Sequence, residues 1–298
     1  MKGGLLCIPC TLRAAYSIAT KATDDEKMHK RVIFETLRWL SDNSENLLNI
    51  TPAVLHTYAF RLVQNITGNR DPFANLKRES NKIAMRLIPL LEGRIEGKPL
   101  QDAFKLAVMG AICGNSIDFE VEGYQVSIER LEKPLLECLG SGLAIDDTCK
   151  LMDALSKSKS ILYLLDNAGE IAFDKVLIKL ITKIYPVKVY AAVKSGPIMN
   201  DATLNDALEV GLNEDAEVIT TGSSSIGLNL EECSKEFMRY LREADVIIAK
   251  GQGYYESLTE IENILLKPIA YMLRAKCLVV AKSLKVSQGA NVVKVVNY

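Results

Sequence analysis

The chain has 298 residues, 48% hydrophobic and 24% charged, with a net charge of −1. That length supports a well-buried core, and the balance excludes a largely disordered chain and offers no basic surface for nucleic acid or an anionic membrane. No apolar run reaches the length of a bilayer span and the opening Met1–Cys7 lacks a signal peptide's apolar core, so a cytoplasmic protein is expected.

From the start to about residue 155 the signals are helical. Thr23-Asp24-Asp25-Glu26 has capping-box spacing ahead of a periodic segment through Leu40. Thr51-Pro52 and Asp71-Pro72 each pair a capping side chain with proline at a first helical position. Further helices are expected over 73–91, 100–113, 127–139 and 147–155. Residues 1–155 are therefore read as a helical domain.

After Ser156 short β-branched runs alternate with helical stretches: Ile161–Leu165, Val187–Val193, Glu217–Thr220, Asp245–Ala249, Lys276–Ala281 and Val292–Val296. Most start roughly thirty residues apart, the length of one strand–helix unit. Residues 156–298 are expected to form a three-layer α/β/α domain with a mainly parallel sheet.

The ends of these runs carry the chemistry. The first ends in Asp166-Asn167 and turns through Gly169 into a helix. The second leads through Lys194-Ser195-Gly196 to Asn200-Asp201, the third ends in Thr221-Gly222-Ser223-Ser224-Ser225, and the fourth meets Lys250-Gly251-Gln252-Gly253. In a parallel sheet all four face one crevice beyond the carboxyl ends, where ligands bind. Asp166, Asn167 and Asp201 offer only oxygen donors, which suits a hard divalent cation. Helix capping by Asp166 and a turn bond from Asn167 are equally open. Lys250 could meet a phosphate as a point charge, or simply be solvated. In the helical half, Cys113-Gly114-Asn115-Ser116-Ile117-Asp118 ends an apolar helix, either as a C-cap or as a loop completing the site.

Seven cysteines scattered through a core-forming chain suggest reduced thiols. Cys7-Ile8-Pro9-Cys10 could be a structural pair, a redox pair or an incomplete metal site. Only two histidines are present and no G-x-S-x-G, G-x-G-x-x-G or Walker pattern, which disfavours a His-based triad, a dinucleotide site and a P-loop.

Taken together, Asp166-Asn167-Ala168-Gly169-Glu170, Gly114-Asn115-Ser116-Ile117-Asp118, Asn200-Asp201-Ala202-Thr203 and Lys250-Gly251-Gln252-Gly253 resemble the domain-of-unknown-function-89 family of metal-dependent damage-control phosphatases, and the N-terminal C-x-x-C resembles its stand-alone prokaryotic branch. The resemblance covers essentially the whole chain. It implies a divalent metal (magnesium, manganese, cobalt or nickel) held by Asp166, Asn167 and Asp201. It implies a substrate phosphate near Lys250, with Asn115 and Asp118 lining the site. The implied partner is a small phosphorylated metabolite, a sugar phosphate or a damaged one, hydrolysed by in-line displacement with Asp166, Asp201 and Lys250 in catalytic roles. The nucleophile could be water activated by an aspartate, or a carboxylate. The alternatives are an S-adenosylmethionine-dependent methyltransferase, which would want more glycine after its first strand than Gly169, and a non-catalytic phosphometabolite-binding protein.

Overall fold

The structure, a computed structural model, describes residues 1–114 and 128–298, the side chains of 128–131 excepted. The helical part comprises α1 (Cys7–Ala22), α2 (Glu26–Asp42), α3 (Pro52–Thr67), α4 (Ala74–Ile95), α5 (Leu100–Cys113) and α6 (Ile128–Gly140). The Asp25 side chain caps α2 by accepting from Lys27 N–H, two positions after the Thr23 expected as the cap. Pro52 is the first residue of α3, where its missing N–H costs nothing.

Seven strands follow: β1 (Ile145–Asp146), β2 (Ser160–Leu164), β3 (Lys188–Val193), β4 (Glu217–Thr220), β5 (Val246–Lys250), β6 (Ile269–Arg274) and β7 (Asn291–Val296). Between them lie α7 (Thr148–Ser156), α8 (Glu170–Ile184), α9 (Leu204–Glu209), α10 (Lys235–Glu243), α11 (Gly251–Leu258), α12 (Glu262–Leu265) and α13 (Leu278–Leu284). The sheet runs β1-β7-β6-β5-β2-β3-β4, parallel throughout except for β7 against β6. The chain thus builds outward from β2 to β4, then returns to β2's other side with β5. The β2/β5 boundary is a topological switch point, the place where an open α/β sheet forms its crevice.

Two of the sequence readings are corrected here. The run Lys276–Ala281, expected as a strand, is a short connection and the start of α13; the strand at that place is Ile269–Arg274. Ile269 to Leu273 are all buried, so both faces of that strand are covered, whereas Lys276 and Leu278 are exposed. The second correction concerns Cys113 and Cys138, which form a disulfide tying the end of α5 to α6.

Alternate residues of each strand enter two cores. Ile161, Tyr163, Val246 and Ile248 face one, built with α4, α5, α7 and α8. Leu162, Leu164, Ile247 and Ala249 face the other, built with α10, α11 and α13. Helices from both halves of the chain therefore share a core with the sheet, and the three layers are closed. Ile198, from the loop after β3, packs among α1, α2 and α3, which brings that loop under the N-terminal helices. No described helix is long and apolar enough to cross a membrane.

Candidate metal and phosphate site

At the end of β2 the chain leaves the sheet through Leu165 and Asp166 and turns at Gly169, whose φ of 77° lies in the region that favours glycine. Ala202 N–H donates to Asp166 O at 2.8 Å and Ala168 N–H donates to Asn200 O at 2.9 Å, so the loops after β2 and β3 are stitched together by main chain. That bridge sets Asn167 opposite Asp201. Both side chains are buried, at 8% and 5% exposure. Asn167 Nδ2 donates to Asp166 Oδ2 at 2.9 Å and to Glu170 Oε2 at 3.3 Å, which leaves the amide oxygen of Asn167 on the other side.

Two lysines complete the floor. Lys250, at the end of β5, is fully buried and donates to Glu170 Oε1 at 2.5 Å, Asp174 Oδ1 at 2.7 Å and Ala111 O at 2.8 Å. All three of its N–H groups are occupied, so Lys250 meets the crevice as an anchor for Glu170. Lys194, at the end of β3, lies 3.7 Å from Asp201 Oδ2, donates to Gly227 O at 2.5 Å and sits 4.2 Å from the Tyr254 ring centroid. Gly251, with φ of 77°, passes so close to Asp166 that a Cβ there would stand 1.9 Å from Oδ2. Any larger residue at this point would displace the Asp166 carboxyl.

The electrostatics follow from this crowding. Burial, then Glu170 and Asp201, hold the Asp166 carboxyl well above the usual carboxylate range. Burial pushes Asp201 up to about 6 although Lys194 pulls it back, and Asp174 is likewise raised to about 6 against Lys250. Burial opposes the charge of Lys250, but Asp174 and Glu170 outweigh it and keep the ammonium protonated. Four carboxyl groups, Asp166, Glu170, Asp174 and Asp201, face the two buried ammonium groups of Lys194 and Lys250, a surplus of two acids. Lys77 nearby is matched by Asp71 at 2.9 Å and Asp206 at 3.8 Å. A divalent cation fits this surplus in charge, and the oxygen-only donors fit a hard ion.

The structure therefore brings Asp166, Asn167, Asp201 and Lys250 to one crevice. Asn115 and Asp118 lie outside the described residues. The Thr221–Ser225 turn is committed to structure: Ser223 Oγ donates to Glu232 Oε2 at 2.7 Å and pairs with Ser225 Oγ at 2.8 Å. Sequence reasoning missed Glu170 and Asp174. Their signal was available, since Glu170 and Asp174 lie four residues apart and so share one face of the helix that follows Asn167. It also passed over Asn81 of α4, whose Oδ1 accepts from Gly169 N–H at 2.7 Å while its Nδ2 donates to Asp206 and Glu209. Nothing in local sequence ties Asn81 to that turn.

Comparison with known proteins places the chain in a family. The family profile of the damage-control phosphatase ARMT1-like domain matches residues 6–292. A damage-control phosphatase of Pyrococcus horikoshii is 38% identical over 290 residues, covering 97% of this chain and 96% of the relative. A damage-control phosphatase of Archaeoglobus fulgidus is 39% identical over 298 residues, covering 99% of this chain and all of the relative. The crystal structure of a DUF89 family protein from P. horikoshii superposes with a TM-score of 0.88 at 37% identity, covering 98% of both chains.

Proposed function

The chain belongs to the damage-control phosphatase ARMT1-like family and is a metal-dependent phosphatase of small phosphorylated metabolites; on that premise we propose that Asp166, Asn167 and Asp201 hold its divalent cation at the β2/β5 switch point. The observation that carries this assignment is the surplus of two buried carboxylates there, beside an amide oriented by Asp166 and Glu170. The donor set favours magnesium or manganese, with cobalt and nickel as accepted substitutes. Family membership sets aside methyl transfer and non-catalytic binding.

When bound, such a cation supplies charge neutralisation and orientation at a phosphoryl oxygen. The chain's own residues do the rest. Asn167 donates to both Asp166 and Glu170 and so ties the two carboxyl groups together. Lys250 fixes Glu170 and Asp174 through two buried ion pairs and adds positive charge to the floor on which phosphoryl oxygens would rest. The first N–H groups of α11, at Gly251 to Gly253, have no partner within their helix and favour an anion. Asn115 and Asp118 are assigned to the substrate side. In support, a Cβ on Gly114 would stand 3.3 Å from Glu170 Cα, so the chain leaves α5 directly beside the site.

The test is phosphate release from a panel of sugar phosphates and an aryl phosphate, using chelator-stripped protein with single metals restored. Release should require metal and vanish in Asp166→Ala and Asp201→Ala. Full metal-dependent turnover in either variant would refute the ligand assignment.

A further inference from the structure

A second cavity, of 460 Å3, lies between the N-terminus of α1, α3 and the turn from β6 into α13. Its wall includes three cysteines and one histidine that the phosphatase site does not use: Cys7, Cys10, Cys277 and His56. Cys7 opens α1 and Cys10 follows one turn later on the same face; Cys277 caps α13. No other part of the described chain gathers so many soft donors around one space.

Each of the three sulfurs accepts an N–H. Gly4 N–H donates to Cys7 Sγ at 3.4 Å, Arg13 Nη2 to Cys10 Sγ at 3.9 Å, and Gln252 Nε2 to Cys277 Sγ at 3.6 Å. The same N–H donors would support the sulfurs as metal-bound ligands. Gln252 is itself held by Glu256 Oε1 at 3.1 Å. The Nε2 atom of His56 is buried and has no hydrogen-bond partner, a cost that is met if it is a ligand. Arg13 and Lys276 line the same cavity and place positive charge beside the sulfurs.

We propose that this cavity is a thiophilic metal site, binding one zinc ion through Cys7, Cys10 and Cys277 Sγ and His56 Nε2. Three thiolates with one imidazole form a closed tetrahedral set, the arrangement of structural rather than catalytic zinc. The site is chemically separate from the oxygen-donor crevice, and would staple α1 and α3 to the turn that leads from β6 into α13. Among the described residues no three His, Cys, Asp or Glu side chains already converge on one centre, so binding turns the thiols inward from the wall as they ionise. Each zinc bound releases three protons to solvent, and no redox step is involved.

The full chain, reduced with a thiol-free phosphine, would be loaded with zinc and washed with a chelator that strips oxygen-donor sites. One zinc per chain should remain and be released when a mercurial titrates the thiols. Cobalt in its place should show thiolate-to-metal charge-transfer absorption in the near ultraviolet with intense tetrahedral visible bands. Cys7→Ser with Cys10→Ser should abolish zinc retention and the charge-transfer band. His56→Gln should keep the band and lose zinc under the wash. Cys149→Ser, at an exposed cysteine, should change neither. The cobalt spectrum of the unmodified protein decides the matter even if a variant misfolds: octahedral, thiolate-free bands overturn the proposal. So does folded, reduced protein that retains no zinc, or a Cys7–Cys10 disulfide as the resting state under phosphine.

Discussion

Lys250 Nζ lies 2.7 Å from Asp174 Oδ1, with neither side chain exposed to solvent, and Tyr163 O–H donates to the same oxygen at 2.6 Å. A strand-end lysine and a carboxylate one turn inside the next layer thus form the floor of the phosphatase crevice. Removing one member of such a pair leaves the other charged and dry, which costs about 3–5 kcal/mol. Lys250→Met is therefore expected to lower the unfolding free energy by that amount in urea titrations and to abolish phosphate release. Lys250→Met combined with Asp174→Leu should recover part of the stability without the activity. Stability unchanged in the single variant would contradict the pairing.

Gly251 sits at φ 77° with the Asp166 carboxylate where its Cβ would be. Gly251→Ala should cost about 1–2 kcal/mol of backbone strain. The larger effect is on position, since Asp166 must move. We expect metal affinity, measured by calorimetry on stripped protein, to fall at least tenfold while far-ultraviolet circular dichroism stays native.

Arg61 of α3 grips Glu232 through two parallel bonds, Nη1 to Oε1 at 2.8 Å and Nη2 to Oε2 at 2.7 Å, and donates to Ser224 O at 3.2 Å. The Arg61 hydrogen bond, outweighing partial burial, holds the Glu232 carboxyl down to about 2. A depressed acid stabilises the fold fully above its unfolded value near 4.5 and loses that contribution as pH falls towards 2. Because Arg61 and Glu232 are partly exposed, solvent screening reduces the effect to about 1 kcal/mol. Glu232→Gln should be less stable than the parent by that amount at pH 7, and the gap should close between pH 4.5 and 2. A gap independent of pH would show that the pair contributes through packing instead.

The Cys113–Cys138 disulfide closes a loop with a sequence separation of 25 residues. The chain-entropy relation assigns such a loop about 3.5 kcal/mol. Double replacement of both cysteines by serine should lower stability by roughly that much under oxidising conditions and make it insensitive to reductant. Equal melting temperatures of the parent with and without reductant would argue against the bond forming in solution.

Much of this protein is legible in one dimension. The continuous apolar run Ile161–Leu165 ending in Asp166-Asn167 announces a doubly covered parallel strand with polar groups at its carboxyl end, and Leu100–Cys113 coincides with α5 residue for residue. Helix and strand periods are local properties, written by neighbours three, four or two residues apart, so a reader of sequence recovers them. The run Leu278-Val-Val-Ala281 misled because β-branched residues tolerate a helix when an apolar face is needed there, and Val280 and Ala281 are buried in α13.

Sequence by itself determined the α/β class, the strand ends at which Asp166, Asn167, Asp201 and Lys250 stand, and the oxygen-only character of that set. Only tertiary structure decided what each of these residues faces. The strand order places β5 beside β2, and with it Lys250 against Glu170 and Asp174, 80 and 76 residues away in the chain. It also carries Asn81 to Gly169 and gathers Cys7, Cys10, His56 and Cys277 around one cavity. Those partners are chosen by which buried charges and apolar faces can be covered together, a condition on the whole packed chain that no local pattern records.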